Sequence, residues 1–492
     1  MKQKNILILL AAAILTSGLF VSCGSAESTE TTAETAADNT AETAAETDEN
    51  AIPADKLPAL DYGGEEFRAM TRLKWFFHGE LFLEESTGEI LNDARFEAKA
   101  AVEDRLNVEF REEYYGTIDY NDNDAPRTII QAGDDAYDMF NGRHVNLFNY
   151  ASEGMIHKIT DISYIDRDMP WWDEDFSRQL IVGETEYFGI AAFNLTAYDS
   201  IHMFLFNKEM AKDYSIGDLY GMVKEGTWTY DAMNEAMSKV VSDLNGDGVM
   251  GEEDQYGLIS APKQILPTLL LGGGHYMIDK DGDNFLYNSM EGNEAFFNAY
   301  NKILDMAWTD SHWYPFITAT EADEQLLITL FSENHSLFAN STGCNVSYYR
   351  TMDMDFGILP CPKETAEQQD YYSRSEYPEL FGIPLSNTNL EMTGAVLEAL
   401  ASEFLRSVEP AYFDVTLTGK VARDTDSAEM LDIIYSNRVF DFGDTILCSE
   451  IRDGKIKTNM ENNVRDLAST LASIRNTVQK RLDTINQGFG LE

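Results

Sequence analysis

Basic residues are scarce in this chain: 36 Lys and Arg stand against 85 Asp and Glu, a formal net charge of −49 over 492 residues. A surface of that sign repels phosphate backbones, which disfavours nucleic acid as a partner. Cysteine is scarcer still. Past Cys23 only Cys344, Cys361 and Cys448 remain, and an odd count without Cys-x-x-Cys spacing argues against a disulfide framework and a zinc ribbon alike. No His-Glu-x-x-His, Gly-x-Ser-x-Gly or Cys/His signature occurs, and the seven His are scattered. After the first 21 residues no second long apolar run follows, so the body is expected to be soluble. No internal repeat is evident.

What is present begins at the N-terminus. Lys2 and Lys4 give a positive start, and Ile6 to Val21 is apolar or small throughout. That run falls short of the roughly 20 residues a spanning helix needs and reads as a secretory signal. Leu19-Phe20-Val21-Ser22-Cys23 resembles the bacterial lipobox, in which a small residue precedes the Cys that becomes lipidated. Phe20 stands where that motif usually has Leu. We therefore expect residues 1–22 to be a signal peptide and Cys23 to carry lipid. The protein would then be exported and held on the outer face of a bacterial cytoplasmic membrane. An ordinary cleaved signal with an incidental Cys is the alternative.

Residues 23–52 read as the tether. Glu30, Glu34, Asp38, Glu42 and Glu46 recur four apart, with no basic and no large apolar residue between Gly24 and Asn50. On a helix those acids would stack as like charges, and too little apolar surface is available to offset chain entropy. The expected state is a self-repelling, extended spacer.

The remaining residues, about 440, exceed one typical core and suit two domains. A β-α-β pattern opens the body. Glu66–Met70 reads as a strand, Leu91, Ala94, Ala98, Ala101 and Val102 recur at helical spacing, and Asn107–Arg111 alternates as a second strand. A helix near Pro126–Ala132, Gly133 and the apolar stretch Tyr137–Phe140 follow. This alternation predicts a parallel sheet with helices on both faces. Ligands of such sheets sit beyond the carboxyl ends of the strands, here near Thr71–His78 and Asn141–Asn146. Farther on, Met203–Phe206 and Leu337–Ala339 read as strands, and Thr229 caps a helix with apolar face Met233, Ala236, Met237, Val240 and Val241. Val464, Leu467, Leu471, Ile474, Val478, Leu482 and Ile485 form one stripe, read as a closing helix packed on a domain.

Asp243–Asp254 carries the sharpest local motif. Asp243, Asn245 and Asp247 place oxygens at loop positions 1, 3 and 5, Gly248 occupies position 6, Val249 offers a carbonyl at 7, and Asp254 a carboxylate at 12. A hard cation needs that oxygen set and a turn that Gly tolerates. We read it as a structural Ca²⁺ loop in preference to a merely acidic turn.

From about Ile130 onward the order of segments resembles the family 1 extracellular solute-binding proteins of bacterial ABC importers, especially clostridial lipoproteins related to the maltose-binding type. The stretches that carry the resemblance are Ala132–Asp138, Pro170-Trp171-Trp172, Leu205–Lys208, Glu225–Thr229, Asp355–Pro360 and Ala428–Leu431. It implies an α/β, two-lobe periplasmic-binding-protein-like (type II) fold with a hinged ligand cleft and added C-terminal helices. The implied divisions are 53–192 for lobe 1, 193–357 for lobe 2, 358–410 as a return to lobe 1, and 411–492 as C-terminal helices on lobe 2. Crossings are expected near Gly189–Tyr198 and Asp355–Pro362. The implied function is capture of a carbohydrate, as an oligosaccharide, by hinge closure and delivery to membrane permease subunits. The chain lacks a Gly-x-x-x-x-Gly-Lys-Ser/Thr loop, so ATP hydrolysis would belong to a partner. A monomer leaves the cleft and the permease face free.

Sugars offer hydroxyl rims and C–H faces, so aromatic platforms beside planar polar groups are the candidates. On the loops expected at the cleft these are Trp75, Asn141, Arg143, His144, Asn194, Tyr198, His275, Tyr276, Asn340 and Ser341, with Trp308, Trp313 and Tyr314 as further platforms. One of Trp171 and Trp172 is expected in the core. Two other classes stay open: an extracellular carbohydrate-active enzyme using two carboxylates, and a cell-surface adhesion lipoprotein. With 85 acids, carboxylate pairs arise by chance and do not favour the enzyme.

Overall fold

The computed structural model describes residues 52–72, 79–115, 124–183, 185–281, 285–314, 321–349, 354–415 and 425–491. The signal, Cys23, nearly all of the tether and Trp75 lie outside these residues. Thirteen strands are numbered in chain order among them. β1 (Glu65–Arg72), β2 (Val108–Tyr115), β3 (Met139–Arg143), β4 (Phe188–Gly189) and β12 (Glu379–Gly382) form the first sheet, in the order β2-β1-β3-β12-β4. β1 runs parallel to both β2 and β3, as the opening pattern predicts, whereas β12 is antiparallel to β3 and β4. The helix Ile90–Leu106 buries Leu91, Ala98, Val102 and Leu106, and Asn107 ends it in the left-handed conformation (φ 52°).

The second sheet has the order β10-β5-β9-β6, from β5 (His202–Asn207), β6 (Tyr256–Ile259), β9 (Ser336–Thr342) and β10 (Phe356–Leu359). Every residue of these four strands is buried, which is why Met203–Phe206, Leu337–Ala339 and Phe356–Leu359 read as runs without alternation. Two small ladders complete the set: β7 (Ile278–Asp281) with β8 (Phe285–Asn288), and β11 (Ser373–Arg374) with β13 (Arg438–Val439). Asn207, Asp218 and Thr229 each cap a following helix with a side-chain oxygen. The helix Leu467–Gly488 buries Leu467, Leu471, Ile474, Val478, Leu482 and Ile485, the stripe read from the sequence except Val464, which precedes the helix. Among the described residues no helix is long and apolar enough to cross a membrane.

The chain passes from the first sheet to the second between Ile190 and Ile201 and returns between Ser373 and Glu379. The two crossings run side by side. Ile201 bridges Ser375, the Glu376 N–H donates to the Ser200 carbonyl at 3.2 Å, and the Glu379 N–H donates to Thr196 Oγ1 at 3.3 Å. The second crossing is therefore not near Asp355–Pro362, as expected. Phe356–Leu359 is a core strand, β10, paired antiparallel to β5. The segment beyond it stays with the second lobe, because Trp228 Nε1 donates to the Pro360 carbonyl and Tyr371 Oη to the Val223 carbonyl. The return to the first sheet starts some 15 residues later than the boundary at 358.

Gly394 lies inside the helix Leu390–Glu403, where alanine is ordinarily the better residue by roughly 0.8–1 kcal/mol. Here an added Cβ would meet the Ser163 carbonyl oxygen at 1.9 Å. Gly394→Ala should therefore destabilise, by about 1–3 kcal/mol. Urea unfolding checks this, and a higher midpoint in the variant would contradict the close approach.

Candidate functional site

Polar and aromatic side chains gather where the two crossings meet. Asn141, in the middle of β3, accepts a hydrogen bond on Oδ1 from Asn194 Nδ2 at 3.1 Å. Asn194 Oδ1 in turn accepts from the Ala191 N–H, which locks the amide of the first crossing. Both are 2% exposed. His144 follows on the next helix, its Nδ1 3.1 Å from the Pro378 carbonyl of the second crossing and its ring edge-on to Phe440. Three of the candidates thus converge on the crossings. Arg143 stands beside them at the end of β3, partly buried and in register opposite Glu379.

Tyr198 sits among rings. Tyr412, Phe413 and Tyr435 have centroids 5.6, 5.1 and 5.2 Å from it, and the Arg438 guanidinium lies 5.2 Å over its face. Arg438 pairs with Asp173 at 2.7 Å, Tyr198 Oη donates to Glu409, and Tyr412 Oη donates to Asp199 at 3.0 Å. Burial pushes the Tyr198 phenol well above its usual range.

An ion web that the sequence reading missed holds the second crossing. Arg374 is fully buried and forms a two-pronged pair with Asp444, at 2.6 and 2.9 Å. Arg452 Nη1 donates to Glu376 Oε1 at 3.0 Å and to the Asp444 carbonyl at 3.0 Å. His202 Nε2 lies 2.9 Å from Arg374 Nη1 and 3.0 Å from Glu376 Oε2. Burial alone would raise Glu376, but Arg374, His202 and Arg452 outweigh it and hold the carboxyl well below its usual range. Burial, then Arg374, push His202 down, and its Nε2 stands between the Arg374 guanidinium and the Glu376 carboxylate.

The other candidates stand elsewhere. Asn340 and Ser341 lie on β9 inside the second sheet, where Asn340 Nδ2 donates to the Met203 carbonyl. His275 Nε2 is 2.6 Å from Glu364 Oε2, and the Tyr276 carbonyl accepts from Ser289 Oγ. Trp171 and Trp172 are both core residues, 1% and 2% exposed; Trp313 and Tyr314 are buried at 5% and 9%. Trp308 is 37% exposed and donates Nε1 to the Met460 carbonyl. A surface cavity of about 480 Å³ beside Lys56, Asp166, Arg167 and Glu398 is lined by none of these candidates.

In the loop Asp243–Asp254 the oxygens organise the backbone. Asp243 accepts from the Gly246 and Gly248 N–H groups, Asn245 from Asp247, Asp247 from Val249, and Asp254 from Leu244 and Gly251. Gly246 and Gly248 take φ of 74° and 80°, which L side chains rarely adopt. Among the described residues no three His, Cys, Asp or Glu side chains gather closely enough to hold a metal ion.

No protein-family model matches the chain, and no curated protein matches it. Among solved structures it is similar to UspC of M. tuberculosis, with 13% identity, a TM-score of 0.59, and 86% of this chain and 100% of that one covered. A cyclo/maltodextrin-binding protein complexed with maltotetraose gives 12%, 0.58, 85% and 97%. The galacto-N-biose/lacto-N-biose I-binding protein of an ABC transporter of Bifidobacterium longum gives 11%, 0.56, 86% and 98%. At these identities the likeness is one of fold: the α/β, two-lobe periplasmic-binding-protein architecture expected from the sequence.

Two outcomes follow from the buried charges. Arg374→Ala leaves Asp444 without its two-pronged partner and with Arg452 alone, and should cost about 3–5 kcal/mol in urea unfolding; a loss under 1 kcal/mol would mean the web does not hold in solution. Glu398 is 1% exposed, and burial pushes its carboxyl up to about 7. A folded pKa above the unfolded 4.5 favours the folded state at low pH and loses that stability as pH rises through about 7. Wild type measured against Glu398→Gln should therefore gain relative stability between pH 8 and pH 5; the opposite slope would contradict the shift.

Proposed function

We propose that this chain is the lipid-anchored, extracellular solute-binding component of an ABC importer, and that it captures a saccharide between its lobes. The observation that carries this reading is the junction of the crossings. Planar amides, guanidiniums, carboxylates and tyrosine rings are brought together there by the paired crossings at Ile190–Ile201 and Ser373–Glu379. Sugar recognition asks for that mixture of planar hydrogen-bonding groups and aromatic faces. The described solute-binding neighbours of the same fold, with their maltotetraose and lacto-N-biose I, support the choice of ligand class.

Mechanism follows from the paired crossings. A few residues in each can absorb the dihedral changes of a hinge. A ligand touching both lobes favours closure by its differential contacts, so binding and closure are one equilibrium. The closed face is what permease subunits would then read, and the tether raises the local concentration beside them. The enzyme reading draws less support. Glu376 and Asp444 are engaged by Arg374 and Arg452, where a hydrolase needs two carboxyls facing across the scissile bond.

The Asp243–Asp254 loop is proposed as a Ca²⁺ site of structural purpose. Asp243, Asn245, Asp247, the Val249 carbonyl and Asp254 would hold the ion, and a monomer is the proposed state. Ca²⁺ should raise the unfolding midpoint of wild type and leave Asp247→Ala unmoved; equal shifts in both would remove this site. Cys23→Ser should move the protein from the membrane fraction to the medium. For the central reading, thermal unfolding against mono- and oligosaccharides, peptides and polyamines is decisive. A ligand at 100 times its Kd adds about 2.7 kcal/mol. A saturable shift with one sugar class and no turnover is expected; turnover, or shifts with non-sugars alone, would overturn it.

A further inference from the structure

Arginine is a costly residue to leave alone inside a fold, and this chain pairs its arginines with care. Among the described residues the side chains of Arg68, Arg72, Arg95, Arg105, Arg111, Arg127, Arg167, Arg178, Arg374, Arg438, Arg452, Arg465 and Arg475 each have a carboxylate partner. Arg406 donates to Ser402 and Arg481 to Asn149. Arg143 is the one described arginine whose side chain has neither a hydrogen bond nor an ion pair.

Its surroundings make the exception informative. Glu379 lies directly across the antiparallel ladder, where opposite residues share a face. That carboxylate lies 4.0 Å from Arg72, and no ion pair joins it to Arg143. Cys448 is buried close enough to feel the Arg143 charge, but burial pushes its thiol up, so it stays neutral and offers no negative charge. Asn141 and His144, on either side in sequence, are committed to Asn194 and Pro378. Five N–H donors and a full positive charge therefore remain at the carboxyl end of a parallel strand, where ligands of such sheets sit.

We propose that the solute carries an anionic group, a carboxylate or a phosphate ester, and that Arg143 pairs with it. This rests on the saccharide reading and narrows it to acidic sugars. The net charge of −49 does not oppose it at close range. Surface charges are screened beyond roughly 8 Å at physiological salt, whereas a bidentate guanidinium contact inside the cleft is not. A charged hydrogen-bonded pair adds enough to separate acidic from neutral ligands by tenfold or more.

Titration calorimetry on the full chain in detergent tests this with matched pairs. One pair is digalacturonate and its dimethyl ester; the other is maltose 6′-phosphate and maltose. One acidic member should bind at least tenfold more tightly than its neutral partner, and which one does names the anionic group. Arg143→Gln should bring the two within twofold by weakening the acidic member far more than the neutral one, and Arg143→Lys should retain part of the preference. Neutral members binding as well as acidic ones, or an acidic preference that survives Arg143→Gln, would overturn this inference and leave the saccharide reading standing. If no member of either pair binds and non-sugars do, both fall together.

Discussion

Arg374 carries a positive charge to a place with no solvent exposure, and the path of the second crossing depends on how that charge is met. Asp444 takes it in two prongs, Glu376 shares it with Arg452, and His202 Nε2 lies between Arg374 and Glu376. Replacing such a web by apolar residues is often neutral or stabilising. Its consequence is orientation. Residues 373–379 have one seating in which two guanidiniums and two carboxylates are satisfied together, and that seating lays the second crossing against the first. The Asn141–Asn194 bond and the rings around Tyr198 then fall on the same junction.

Much of this fold was legible because its elements follow simple periods. β1, β2 and β3 with the intervening helix were readable from a switch between alternation and helical spacing, and the C-terminal stripe from Leu467 onward maps onto the helix Leu467–Gly488, while Val464 precedes it. Thr229 acts as the cap its position suggested. The second crossing was misplaced for a physical reason. A four-residue apolar run such as Phe356–Leu359 looks the same whether it links lobes or fills the centre of a sheet, and only its pairing with β5 decides.

The site was half legible. Asn141, His144, Asn194 and Tyr198, which meet at the crossings, were legible because the ends of strands, and the first crossing, can be located from strand order; their contact with a solute is a proposal. Arg374, Glu376, Glu409, Arg438 and Asp444 were not. A buried charge carries no mark in a sequence with 85 acidic residues, where most carboxylates are solvated surface. The alternation Ser373-Arg374-Ser375-Glu376 is the one local sign, and it reads equally as an exposed edge strand. Trp313 and Tyr314 err the other way: large rings look like platforms, and burial made them core.

The account stands on closure of two lobes over a saccharide about the paired crossings. Glu97 is exposed on the helix packed over the first sheet, Ser238 is exposed on a helix against β6, and the three body cysteines are buried. Fluorophores at Glu97→Cys and Ser238→Cys, with Cys23 replaced, report the distance between lobes by energy transfer. The account predicts that the saccharide giving the largest rise in unfolding midpoint shortens this distance saturably, with the same Kd as binding. Stoichiometric binding with an unchanged distance would contradict it.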